Sequence, residues 1–138
     1  MFKGGALRLL FMAQDLFEGE KVLAFDLETT GTSTNNDRIV QYALIGTLAD
    51  GTAVNVEQIV KPPIRIPLEA SNIHGIYNED IRDKPPLSEV AEELAELIDG
   101  AILVGHNVRS FDYAMLKTEF LRMGRLAPQP KAIMDTLE

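Results

Sequence analysis

Hydrophobic and polar positions divide the chain into short segments with different periods. Gly4-Gly5 and Gly19 bracket an amino-terminal stretch in which Leu9, Met12, Ala13 and Leu16 fall on one side, which predicts a surface helix. The continuous apolar run Val22-Leu23-Ala24-Phe25 then reads as a strand covered on both faces. Two more strand-like runs, 38–48 and 53–60, are joined by Asp50-Gly51, a strong hairpin signal, and Val54, Val56 and Val60 keep the parity of a half-buried strand. The segment KPPIRIP, 61–67, breaks the sheet into a proline-rich loop. A helix is predicted from about 89 to 99, with Ser88 as cap, Gly100 as stop and Val90, Leu94, Leu97 and Ile98 as apolar stripe. AILVG, 101–105, is a short buried strand, and a second helix follows over 111–123 between Ser110 and Gly124. KAIMDT, 131–136, reads as one more strand. Three antiparallel strands followed by strand–helix alternation predict an α/β unit: a single mixed sheet flanked by helices.

Composition narrows the classes. A length of 138 residues suits one domain with a real core, divided here into a helical extension, 1–19, and the main unit, 20–138. No apolar run approaches the roughly 20 residues of a membrane span, and Gln14 and Asp15 interrupt the amino-terminal apolar patch, so neither a membrane segment nor a signal peptide is expected. The chain has no cysteine, which excludes disulfides and thiolate metal sites and makes a cytoplasmic location the default expectation. A net charge of -8 argues against a general nucleic-acid coat. Bound metal ions can nevertheless give an acidic protein a local hold on nucleic acid.

The apolar strand at 22 ends in two acids. Asp26 and Glu28 are two residues apart, so both side chains leave the same face just before the Thr29-Thr30-Gly31 turn. Burying one unpaired carboxylate costs several kcal/mol, and two on one face repel unless a cation lies between them. A third acid, Asp112, opens the second helix, where the helix dipole favours an anion. It shares the spacing i, i+4, i+8, i+11 with Leu116, Phe120 and Met123, so it points inward beside the sheet. Convergent acids without histidine or cysteine are hard oxygen donors suited to Mg²⁺ or Mn²⁺. Paired ions about 3.5–4 Å apart are a known device for phosphodiester cleavage. The plain alternative is a set of exposed acids at element ends.

These residues resemble a known family. Asp26-x-Glu28-Thr29-Thr30-Gly31 is similar to the first motif of the DEDD-type (DnaQ-like) 3′–5′ exonucleases, which include the proofreading epsilon subunit of bacterial replicative polymerases. Asn107-x-x-x-Phe111-Asp112 resembles their second motif, and IPLEASNIHGI resembles the proline-rich loop that ends in His-Gly-Ile. The resemblance implies a ribonuclease-H-like fold and two Mg²⁺ or Mn²⁺ ions. Asp26 would bridge both ions, Glu28 would bind the ion that activates water, and Asp112 would hold the second. Glu69 and His74 match positions that contact the terminal nucleotide, and the backbone around Leu27 and Thr29 would line the pocket for the terminal base and 3′-hydroxyl. Phe111 reads either as a base-stacking ring or as core, His106 either as a nucleotide contact or as a satisfied loop histidine, and Asp135 as a capping or solvated acid. The implied partners are a single-stranded 3′ end of DNA or RNA and a polymerase or other replication or repair protein. The amino-terminal helix suggests packing on the domain or on a second copy, a homo-oligomer.

One family feature is missing from the sequence. Members carry a third motif, a histidine followed five residues later by an aspartate, which supplies a general base and a metal ligand. Here the histidines are His74 and His106, both before Asp112, and His74 has Glu79 at that offset. The sequence therefore reads as a truncated exonuclease domain, lacking carboxyl-terminal elements and weak or inactive alone, since loss of a general base typically costs 10²–10⁴-fold. A non-catalytic binding module of the same fold and an exoribonuclease remain as alternatives.

Overall fold

The computed structural model describes residues 2–137. Five strands form one sheet: β1 (Val22–Thr29), β2 (Ile39–Thr47), β3 (Ala53–Ile59), β4 (Ile102–Gly105) and β5 (Ala132–Asp135). Their order is β3-β2-β1-β4-β5, with β2 antiparallel to both β1 and β3, and β4 parallel to both β1 and β5. β1 is thus the central strand, which explains its unbroken apolar start. The Asp50-Gly51 hairpin forms as expected, with Gly51 at φ 88° and the Leu48 N–H donating to Thr52 O at 2.8 Å.

Alternation along β1 assigns its residues to two layers. Leu23, Phe25 and Leu27 join the main core beneath α3 (Leu87–Ile98) and α4 (Tyr113–Arg122), which contribute Ala91, Leu94, Ile98, Met115, Leu116 and Phe120. Val22 and Ala24 point the other way and pack under α1 (Ala6–Leu16), against Leu10 and Ala13. The buried stripe of α1 is Ala6, Leu10 and Ala13, not the predicted Leu9, Met12, Ala13 and Leu16; Met12 and Leu16 face outward. Leu10 fills the space between the two alanines over Val22, Ala24, Ile102 and Val104, and Leu9 packs at the edge of this cluster.

Three local expectations are also corrected. IPLEASNIHGI is not wholly loop: α2 (Leu68–His74) forms between Pro67 and Gly75, whose φ of 77° ends it. Ser88 does not cap α3, which begins one residue earlier, behind an extended Pro86 that has no N–H to leave unpaired. Ser110 is likewise no cap, because it lies inside a π-helical turn, Val108–Asp112, that leads into α4. Among the described residues, no helix is long and apolar enough to cross a membrane.

Candidate active site

β4 pairs with β1 only over Val22–Ala24, while β2 follows β1 to Thr29. The second half of β1 therefore has one edge without a strand beside it. The chain leaves β4 at Gly105, where a Cβ would lie 2.8 Å from Val108 Cβ and 3.0 Å from the Phe25 carbonyl oxygen. Only a glycine lets the π turn pack this close to β1. Asn107 enters the turn at φ 54°, the one non-glycine with positive φ among the described residues. Asp135, at the end of β5, holds the turn by accepting the Asn107 N–H at 2.8 Å and the Arg109 N–H at 3.1 Å, and it also accepts the Leu137 N–H at 3.0 Å. Burial opposes its ionisation, but these backbone donors outweigh it and keep the carboxyl below the usual range. The capping role expected of Asp135 is met.

This scaffold delivers Asp112 to the open edge of β1. Its side chain is 2% exposed, and Oδ2 accepts the Leu27 N–H at 2.9 Å, a bond a further strand would otherwise make. Asp26 arrives from the α1 face. Beyond Ala24 the next positions of that parity are Asp26 and Glu28, and they lie past the start of α1, where helical cover ends. Asp26 Oδ2 is buried with no hydrogen-bond partner. Burial and then the Glu28 charge push the Asp26 carboxyl up to about 6, with Lys3 acting in the opposite sense. Burial and then the Asp26 charge push Asp112 up to about 8, although the Leu27 N–H opposes the shift. A buried carboxyl, Asp112, beside a half-buried one, Asp26, whose inner oxygen is orphaned, forms a donor set that fits a hard divalent cation. Among the described residues, no three His, Cys, Asp or Glu side chains are grouped to hold one ion. The spacing predicts a three-acid convergence; the structure brings Asp26 and Asp112 together and turns Glu28 into the neighbouring cleft.

Two clefts meet here. One, of about 180 Å³, is lined by Asp26, Leu27, Asp112, Phe111, His106 and Lys3 among others. The other, of about 510 Å³, is lined by Glu28, His74, Gln41, Glu57, Phe2 and again Lys3. His74 is fixed by the backbone: the Ile76 N–H donates to Nδ1 at 3.1 Å, which leaves the proton on Nε2 to donate to Thr29 O at 3.1 Å. His106 Nδ1 lies 2.8 Å from Thr136 Oγ1. Phe111 belongs to both of its readings, half-buried against the main core and lining the smaller cleft. Thr29 is buried, its hydroxyl donating to Gly31 O at 2.6 Å. Glu69 is exposed in the first turn of α2 and lines neither cleft.

Sequence reasoning missed two groups. Glu119 is 3% exposed, accepts the Ile39 N–H at 3.0 Å and pairs with Arg38 at 2.8 Å and Arg122 at 3.2 Å. Its place between Leu116 and Phe120 on the inward stripe was the available signal. Lys3 carried no signal, because nothing in sequence brings residue 3 to residue 26.

An exonuclease family model of the RNase T type matches residues 23–138. The chain is 31% identical over 125 residues to a PolC-type DNA polymerase III of Clostridium perfringens, covering 90% of this chain and 8% of that protein. It is also 31% identical over 120 residues to the 3′-5′ exonuclease DinG of Bacillus subtilis, covering 86% of this chain and 13% of that protein. Among solved structures, E. coli exonuclease I in complex with a dT13 oligonucleotide is similar with a TM-score of 0.67 and 25% identity, covering 77% of this chain and 24% of that one. The chain thus spans a small part of the length of these relatives. The mixed sheet and its flanking helices agree with the ribonuclease-H-like α/β expectation. Because the matched segment runs from the second residue of β1 through β5 and includes Asp26, Glu28 and Asp112, the chain belongs to the exonuclease family.

Proposed function

We propose that this chain is the nuclease portion of a metal-dependent 3′–5′ exonuclease that shortens single-stranded DNA ends in a replication or repair setting in the cytoplasm. The observation that carries this reading is the Asp26–Asp112 pair lining one cleft, with Asp112 buried and the inner Asp26 oxygen buried without a partner. The PolC and DinG relatives support the choice of DNA and of 3′–5′ polarity. Asp26 and Asp112 would hold a Mg²⁺ or Mn²⁺ ion, and Glu28, in the adjoining cleft, would support a second. Bound ions of this kind activate water and stabilise the leaving oxygen. The chain's own groups do the rest. His74, with both ring nitrogens engaged by backbone, shapes the nucleotide cleft and is not free to move protons. His106 is the imidazole on the wall of the acid cleft and is placed to take a proton from attacking water. Phe111 offers its ring for stacking to the terminal base, and Leu27 lines the same cleft.

The test is a 5′-labelled single-stranded DNA in millimolar Mn²⁺ or Mg²⁺. A ladder shortening by single nucleotides is expected, slow in absolute rate and reduced by at least about 10²-fold in Asp26→Ala. Immediate release of the label as mononucleotide would reverse the polarity. Intact metal binding with no shortening would make the chain a binding module, and faster loss of an oligoribonucleotide would reassign the substrate to RNA.

A further inference from the structure

The amino-terminal turn lies outside the family-matched segment, yet it reaches the site. Its placement is built into the backbone. Gly4 and Gly5 sit at φ 60° and 79°, a conformation that side chains with a Cβ rarely adopt. The Ala6 N–H closes the turn on Lys3 O at 3.0 Å. Gly4 lies flat against the His106 ring, so close that a Cβ would fall 2.1 Å from Nδ1. Phe2, on the other side of Lys3, packs against the cluster of Leu10, Val22 and Val104. Lys3 is therefore held from both sides where the two clefts meet.

The charges around it are one-sided. Asp26 and Asp112 line one cleft, Glu28 and Glu57 the other, and Lys3 is the only lysine or arginine among the described residues lining either. Among the described residues it closes no ion pair with any of these acids. Its charge nevertheless reaches both Asp26 and Asp112. A phosphodiester entering this acidic place needs cationic partners on more than one side. A cation on the acids would account for one side, and Lys3 is the cation that the described lining residues offer for the other.

We infer that Lys3 is a substrate-positioning residue whose ammonium receives the phosphate of the terminal nucleotide at the junction of the two clefts, held there by the Gly4-Gly5 turn against His106. The inference rests on the exonuclease reading of the site. It concerns a residue that the family match does not include.

Isothermal titration with 5′-dTMP and with thymidine, both in saturating Mn²⁺, tests it on the whole chain. Lys3→Met is expected to weaken dTMP binding roughly twofold to fivefold, the scale of one exposed charged contact, and to leave thymidine unchanged. Lys3→Arg should recover most of the loss. Gly4→Val keeps the lysine but collides with His106, so it should reproduce the dTMP loss while the melting temperature confirms a folded protein. Equal dTMP binding by the native chain and Lys3→Met overturns the inference, as does an equal loss for dTMP and thymidine. A gain in Mn²⁺ affinity without any change in dTMP binding would also overturn it, leaving Lys3 as a counter-ion to the acids. If the native chain binds neither compound in Mn²⁺, the nuclease reading itself fails; if it binds dTMP and only the lysine effect is missing, the nuclease reading stands.

Discussion

Asp112 concentrates the electrostatic cost of the site at one residue. Its carboxyl stands at about 8 in the folded chain, against roughly 3.9 when unfolded. Between those values the folded state keeps a proton that the unfolded state has released, so stability falls as pH rises. The group is least harmful below about pH 4, and its penalty is complete above about pH 8. Without metal, the melting temperature should therefore drop between pH 5 and pH 8, by an amount on the order of 10 °C. Asp112→Asn keeps an oxygen for the Leu27 N–H and should flatten that slope, which melting curves in a chelator at both pH values will check. Parallel slopes for the two proteins would remove the buried charge from the account. The parity of Asp26 and Glu28 and the inward direction of Asp112 were legible in the sequence, because period-2 and period-3.6 patterns fix which face a residue takes. How far apart the three carboxylates end was not legible. That distance depends on where β4 stops pairing and on the depth of the turn after Gly105.

At the scale of elements, α4 is fastened by acids at its start and at its middle. Asp112 ties its start to β1, and Glu119 ties its middle to the first residue of β2 through the Ile39 N–H and Arg38. Removing Glu119 leaves a buried N–H without a partner and two arginines without their shared acid. Glu119→Ala should cost about 3 kcal/mol by denaturant unfolding. Glu92→Ala, which breaks the pair of this largely exposed acid with Arg125, should cost no more than about 0.5 kcal/mol. Similar costs for the two would contradict the role given to Glu119. Element types along the sheet were readable because hairpin chemistry and apolar periods agree there. α2 was not, since a seven-residue helix among prolines offers too few turns for a period to show. The misplaced caps have one cause: Pro86 and the π turn set the helix starts by backbone geometry, which no serine signals.

For the molecule as a whole, the site is an assembly of three distant segments. Residue 3, the end of β1 and the turn before α4 meet because α1 covers one face of β1 while α4 covers the other. In a chain of net charge -8, gathering acids in this way adds to the general repulsion, and a divalent ion relieves both. The motifs led from sequence to the two acid segments, and the family match includes the same residues. The amino-terminal contribution lay beyond reach, because a turn of two glycines does not say which element it will rest on.

Whether Asp26 and Asp112 together hold a divalent cation is tested by direct titration of Mn²⁺, followed by the loss of its free-ion electron-spin resonance signal. The native chain should bind Mn²⁺ with release of protons as the pair ionises, and both Asp26→Asn and Asp112→Asn should weaken that binding by at least about tenfold. Native-like Mn²⁺ binding in either variant would contradict joint binding by the pair.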